Sequence, residues 1–407
     1  MFSEVYTGTA DLYVYFYKRG SELLREAGVF TYISSNKFFR AAYGKKLRIF
    51  FTDDQCIHRL LDFGSVQVFK ASVDTCIVLV ENSISSEGTF FAATFRDETD
   101  IYRLSDVFQE RAFSMHVCNL SPDGWVLTSQ DTINLLERLE NIGMPLGEYV
   151  DGFYRGVVTG CNDAFIISES IRQQLIAEDS KSDELIKPLL RGRNLHKWKA
   201  KADDYLIFTR RGIDIEHYPA IKRYLNQYKF DLEPKKNRGQ KRGRKIGNYK
   251  WYEIQDNTAY HTEFEKPKII YRRIAKSLDA SYDTTGAFGL DTIFFISTND
   301  LSLLAVLNSK LFDWYARHKV LPLNDPWAGG GLQFFAQYME KVPVADMTST
   351  QKAELSRLVE RILADPQSDG VSDIEQKIDE LVYQLYGLTD VGIELIKQTY
   401  RDADMEV

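Results

Sequence analysis

The residues of this chain whose types and spacing could do chemistry are chiefly cations. From Leu232 to Gln255 the sequence reads LEPKKNRGQKRGRKIGNYKWYEIQ, interleaving Lys235, Lys236, Arg238, Lys241, Arg242, Arg244 and Lys245 with Gly239, Gly243 and Gly247 before Tyr249, Trp251 and Tyr252. Lysine and arginine neutralise phosphates, glycines let a chain follow a phosphate backbone, and aromatic or amide side chains can meet bases and sugars. Taken alone, such a run is as often a solvated loop. Two more clusters lie in the same region: Arg191, Arg193, Asn194 and Lys197 in PLLRGRNLHKWK (188–199), and Arg272 with Arg273 in YRRIAK (271–276). Three clusters together favour nucleic acid.

Net charge hides this. The 407 residues carry a formal charge of −7, yet Lys187 to Lys250 holds 19 Lys and Arg against 6 Asp and Glu. A basic middle on an acidic body favours a polyanionic partner, since solubility alone would be served by dispersed charge. Other chemistry is weaker. No GxxxxGK[ST] or GxGxxG occurs, and GAFGLD and the triplet Gly329, Gly330, Gly331 read as turns. The six histidines and Cys56, Cys76, Cys118 and Cys161 never fall at metal-ligand spacing, and DELIK (183–187) reads as a helix surface. No apolar run approaches the roughly 18 residues that cross a bilayer, and cysteine usage is of the reduced kind, so a cytoplasmic protein without a membrane partner is expected.

The elements that must position these residues fall into three regions, 1–120, 121–345 and 346–407. In the first, Leu12, Phe16, Leu23, Leu24 and Ala27 form an apolar stripe on a helix starting near Thr9 and stopping at Gly28. A strand follows at Val29–Ser34, then a helix over Asn36–Phe51 and strands at 57–64 and 74–82. Helix, strand, helix, strand, strand suits the second half of an open α/β sheet, so a partial doubly wound sheet is predicted, its front half missing. Alternating residues from 87 to 119 suggest peripheral strands, and SPDG (121–124) a boundary. A mixed α+β region and an acidic, helical tail from Thr348 complete the predicted α/β architecture. Phe69, just before a buried strand, is core by default.

In order and spacing, these segments resemble N6-adenine DNA methyltransferases with a fused target-recognition domain, as in type IIG restriction-modification enzymes. The resemblance is carried by ADLYVYFYKRGSELLREAG (10–28), VFTYISSNKFFRAAYGKKLR (29–48) and LLDFGSVQVFKASVDTCIVLVE (60–81). Downstream it continues in LLRGRNLHKW, FEKPKIIYRRI, LLAVLNSKLFDWY, YMEKVPV and IDELVYQLYGLT, which resemble a TaqI-like specificity domain and its helical tail. It implies that 1–120 is the rear of a methyltransferase domain, 121–345 a recognition domain for double-stranded DNA, and Phe69 the aromatic that stacks on an extruded adenine.

The glycine-bearing S-adenosylmethionine loop and the NPPY motif of that family are absent from this sequence. The resemblance therefore implies that S-adenosylmethionine serves the complete enzyme, that this chain alone binds none and holds no catalytic residue, and that a catalytic half comes from elsewhere. Two alternatives stay open: a scaffold whose exposed sheet edge another chain completes, and an intact methyltransferase with an unrecognised cofactor site.

Overall fold

The structure is a computed structural model describing residues 2–404, apart from 65, 72, 84–87, 96–97 and 324–329, with side chains described as far as residue 400. The chain forms two compact units, one of Met1–Asn141, Tyr315–Leu332 and Leu388–Val407, the other of Ile142–Trp314 and Gln333–Gly387.

The first unit is built on a five-stranded sheet. After helix α1 (Leu12–Glu22) come β1 (Val29–Ser35), α2 (Lys45–Asp54), β2 (Cys56–Asp62), β3 (Thr75–Glu81), β4 (Thr89–Thr94), α3 (Leu104–Arg111) and β5 (Phe113–His116), with spatial order β1-β3-β2-β4-β5. The apolar run TCIVLVE makes β3 an inner strand, antiparallel to both β1 and β2, while β2 and β4 run parallel. Ser35 pairs with Thr75 and Asp62 with Cys76, so β1 and β2 end at the same end of the sheet. The core here is aromatic, with Tyr17, Phe38, Phe51 and Trp125 all buried.

Two local expectations fail for physical reasons. On α1 the buried face is Val14, Tyr17 and Ser21, whereas Leu12, Phe16 and Leu23 are exposed. The helix packs through the Tyr17 ring, edge-on to Tyr32 at 5.1 Å and to Phe51 at 5.0 Å, with its hydroxyl bonded to Ser34 Oγ at 2.9 Å. The single helix expected over 36–51 is broken into 3-10 turns at Asn36–Phe39 and Ala42–Gly44 followed by α2. Arg48, buried on α2, donates to the carbonyls of Phe38, Ala41 (3.0 Å) and Pro122 (2.8 Å). Arg48 thus braces the carbonyls of the broken segment, where Ala41 O also accepts from Gly44 N at 3.0 Å.

The second unit has a core around Phe165, Phe208, Phe264, Phe288 and Phe295, with the Phe264 and Phe288 rings stacked at 4.5 Å. A five-stranded sheet runs in the order Trp198–Lys199, Ser281–Asp283, Lys268–Arg272, Ile293–Ser297, Phe153–Arg155, beside a four-stranded one containing Ile186–Leu190 and Asp204–Ile207. Helices Ser349–Ala364 and Val371–Leu385 belong to this unit. Their start is fixed by a reciprocal cap between Thr348 and Gln351, and Tyr386 donates to the Pro343 carbonyl at 2.7 Å. Of DELIK, expected to be a helix surface, Asp183 and Glu184 lie exposed on a short helix, whereas Leu185 is buried and Ile186 and Lys187 begin the strand Ile186–Leu190.

Candidate nucleic-acid interface

Arg244 decides the shape of the basic segment. Its side chain is buried, with Nε donating to the Leu232 carbonyl (2.7 Å), Nη1 to Thr159 (2.8 Å) and Nη2 to Trp251 (2.9 Å). The guanidinium also faces the Tyr249 and Phe165 rings at 4.8 and 5.5 Å. Burial pulls its pKa down to about 10, which leaves it charged at neutral pH. The backbone closes above it: Lys235 N donates to Arg244 O, and Arg244 N to Glu233 O, each at 3.0 Å. Gly243 makes that approach at φ +105°, where an added Cβ would sit 2.6 Å from the Glu233 carbonyl.

The result is a clamped loop rather than a flexible run. Its tip is ordered by its own amides, with Gln240 Oε1 accepting from Lys236 N at 3.0 Å and Asn237 Oδ1 from Gly239 N at 3.1 Å. Lys236, Arg238, Lys241 and Lys245 are exposed and Lys235 half-buried, and none of the five forms an ion pair among the described residues. Arg242 differs: it is held by Asp231 through Nε (2.5 Å) and Nη2 (2.8 Å), which raises the arginine pKa and lowers that of the carboxyl.

Arg244 and Tyr252, expected at the surface, are therefore corrected to structural roles. Tyr252 is buried and donates to the Ile213 carbonyl at 3.1 Å, because the loop needs an internal floor. Trp251 is half-buried against the core with Lys229 Nζ 5.5 Å from its ring centre.

The second cluster is largely neutralised. Arg191 and Arg193 lie 2.9 and 2.8 Å from Asp204, and Lys197 lies 2.9 Å from Glu375. Glu375 also accepts from Trp198 Nε1 at 2.7 Å, bracing a residue whose φ is +78°. Asn194 is buried, its side-chain oxygen accepting from Arg191 N at 2.8 Å. In the third cluster Arg272 lies 3.4 Å from Asp279 and Arg273 5.5 Å from the Phe335 ring centre. The two clusters adjoin, since a Cβ added at Gly192 would lie 3.7 Å from the Arg272 side chain.

In the first unit Phe69 is 47% exposed, on the loop between β2 and β3, so the default expectation of a core residue is corrected. Two features escaped sequence reasoning. One is a cavity of about 760 Å³ at the carboxyl ends of β1, β2 and β4, lined in part by Asn36, Lys37, Arg40, Asp62 and Trp125. The other is Phe230, 75% exposed beside the basic loop; neither carries a periodicity or a motif. Among the described residues no helix is long and apolar enough to cross a membrane.

Comparison with known proteins finds two family matches along the chain. Residues 1–69 match the Eco57I restriction-modification methylase family, and residues 187–344 the TaqI-like C-terminal specificity domain, a range that includes all three basic clusters. The chain is 25% identical over 426 residues to the type II methyltransferase M.BstVI of Geobacillus stearothermophilus, covering 95% of this chain and 69% of that protein. It is 24% identical to M.XhoI of Xanthomonas vasicola, covering 95% and 70%. In fold it is similar to the type IIL restriction-modification enzyme MmeI, solved in complex with DNA, with a TM-score of 0.59 at 12% identity. That match covers 97% of this chain, which spans about half of MmeI, 53%. The chain thus carries sequence of the restriction-modification DNA methyltransferase type together with a TaqI-like specificity domain.

Proposed function

We propose that this chain is the double-stranded DNA recognition part of an N6-adenine methyltransferase of a type IIG restriction-modification system in the cytoplasm, with its catalytic elements supplied by another polypeptide segment. The observation that carries DNA recognition is the clamped loop, which presents Lys235, Lys236, Arg238, Lys241 and Lys245 without carboxylate partners among the described residues. Neutralising about five phosphates releases counterions, so affinity should fall on the order of 10²- to 10³-fold between 50 and 200 mM salt. Binding insensitive to salt would contradict the proposal.

Shared catalysis is supported by the first unit. β1 is an edge strand, and Leu12, Phe16 and Leu23 on one face of α1, with Val29 on β1, are all more than half exposed. An open edge beside an uncovered apolar helix face is a surface another segment can complete. A scaffold completed at β1 would use the same edge, but would lack the salt-dependent DNA affinity.

S-adenosylmethionine supplies the methyl group when bound in the complete enzyme. A cradle supplied by other elements is supported by the turn after β1, which runs Asn36-Lys37-Phe38-Phe39 without glycine, with Asn36 Nδ2 donating to Asp62 Oδ1 at 2.7 Å. Methyl transfer is accordingly not assigned to this chain.

Phe69 is the proposed platform for the extruded adenine. Stacking contributes about 1–3 kcal/mol per base. Phe69→Ala should leave the fold and the DNA affinity of this chain nearly unchanged, because the ring is half-exposed, and should slow methylation about tenfold or more once catalytic elements are supplied. Radiolabelled methyl transfer reads this out, and equal rates would remove Phe69 from the site.

A further inference from the structure

We propose that Arg242 is a base-reading residue, held by Asp231 and seated on Phe230 so that its free edge pairs with a guanine in the major groove. The inference rests on the DNA-recognition function proposed above and deepens it.

A guanidinium has two edges that can each make a pair of hydrogen bonds. One carries Nε–H with one Nη2 proton; the other carries Nη1–H with the second Nη2 proton. Asp231 occupies the first, through Nε to Oδ1 at 2.5 Å and Nη2 to Oδ2 at 2.8 Å. The second edge remains, on a side chain that is 66% exposed. Beneath it, the Arg242 guanidinium carbon lies 5.7 Å from the centre of the Phe230 ring. The group is therefore fixed in direction by a carboxylate, with the face of a ring beside it.

This is a poor design for holding phosphate and a good one for reading a base. A phosphate is best met by an uncompensated cation, and the neighbouring Lys235, Lys236, Arg238 and Lys241 are of that kind. Giving Arg242 a carboxylate partner spends charge and gains orientation, which matters for a bidentate contact to guanine O6 and N7. Phe230, a 75% exposed phenyl ring set among cations, offers nothing to a phosphate but suits the apolar edge of an adjacent base, such as a thymine methyl.

The test is selection of bound duplexes from a randomised pool by the full chain, comparing wild type with Arg242→Lys, which keeps the charge. Wild type should enrich guanine at one position. In Arg242→Lys that preference should fall on the order of 10- to 100-fold, with the salt dependence of binding unchanged. Replacing that guanine by 7-deazaguanine should weaken wild-type binding and leave Arg242→Lys indifferent. A preference retained in full by Arg242→Lys, or wild-type binding insensitive to 7-deazaguanine, would overturn the assignment to Arg242 alone. A wild-type pool without any preferred sequence would overturn sequence reading by this chain, and the assignment with it.

Discussion

Lys268→Met is expected to destabilise the second unit by about 3–5 kcal/mol, the cost of stranding a buried charge. Lys268 is fully buried on the strand Lys268–Arg272, directly across from Asp283 on the neighbouring strand. Its Nζ donates to Asp283 Oδ2 at 2.5 Å and to the Phe264 carbonyl at 2.6 Å, and desolvation depresses its pKa. Methionine preserves the volume but leaves the carboxylate with only the Thr285 hydroxyl (2.6 Å) and the weaker Thr285 and Ala287 amides (3.3 Å each). Neutralising the partner as well, in Lys268→Met/Asp283→Asn, should recover part of the loss. Urea unfolding followed by circular dichroism measures both. A single-variant loss below about 1 kcal/mol would mean that water or relaxation reaches Asp283 more easily than its burial implies.

The second large effect separates two arginines that look alike in the sequence. Arg244→Met removes the donor to three carbonyls, each costing about 1–3 kcal/mol when left buried without a partner, offset in part because a buried charge also disappears. A net loss of roughly 3 kcal/mol is expected. DNA affinity should fall with it, although every exposed cation of the loop remains, because the loop loses its clamp. Arg238→Met should do the opposite: stability within about 0.5 kcal/mol of wild type, and a salt slope shallower by about one. If both variants changed only the salt slope, Arg244 would be an ordinary surface cation.

This pair also marks how far the sequence could be read. The basic segments, the succession of strands at the front of the chain and the helical texture after Thr348 were legible, because composition and periodicity are local properties. What pairs with each cation was not. Lys197 meets Glu375 and Arg244 meets the Thr159 carbonyl, partners far away in sequence that no spacing rule selects. Thus the cluster around Arg193 looked like phosphate ligands and is mostly held by Asp203, Asp204 and Glu375, whereas five cations of the loop have no ion-pair partner among the described residues. On α1 the apolar stripe read from the sequence lies on the exposed side, since periodicity finds a face without saying what covers it. Tyr17, with a polar tip, is buried there because Ser34 meets its hydroxyl. Phe69, core by default from its place before a buried strand, is 47% exposed, which no local pattern signals.

The central claim is that the clamped loop is the DNA-binding surface. Its most direct test is fluorescence anisotropy of a mixed-sequence duplex against salt, run in parallel on folded wild type and on a variant with Lys235, Lys236, Arg238 and Lys241 changed to alanine. Wild type should show a log–log slope of about −4 to −5, and the variant one shallower by roughly 3 to 4. Equal slopes, or no binding at 50 mM salt by wild type whose circular dichroism shows it folded, would contradict the claim.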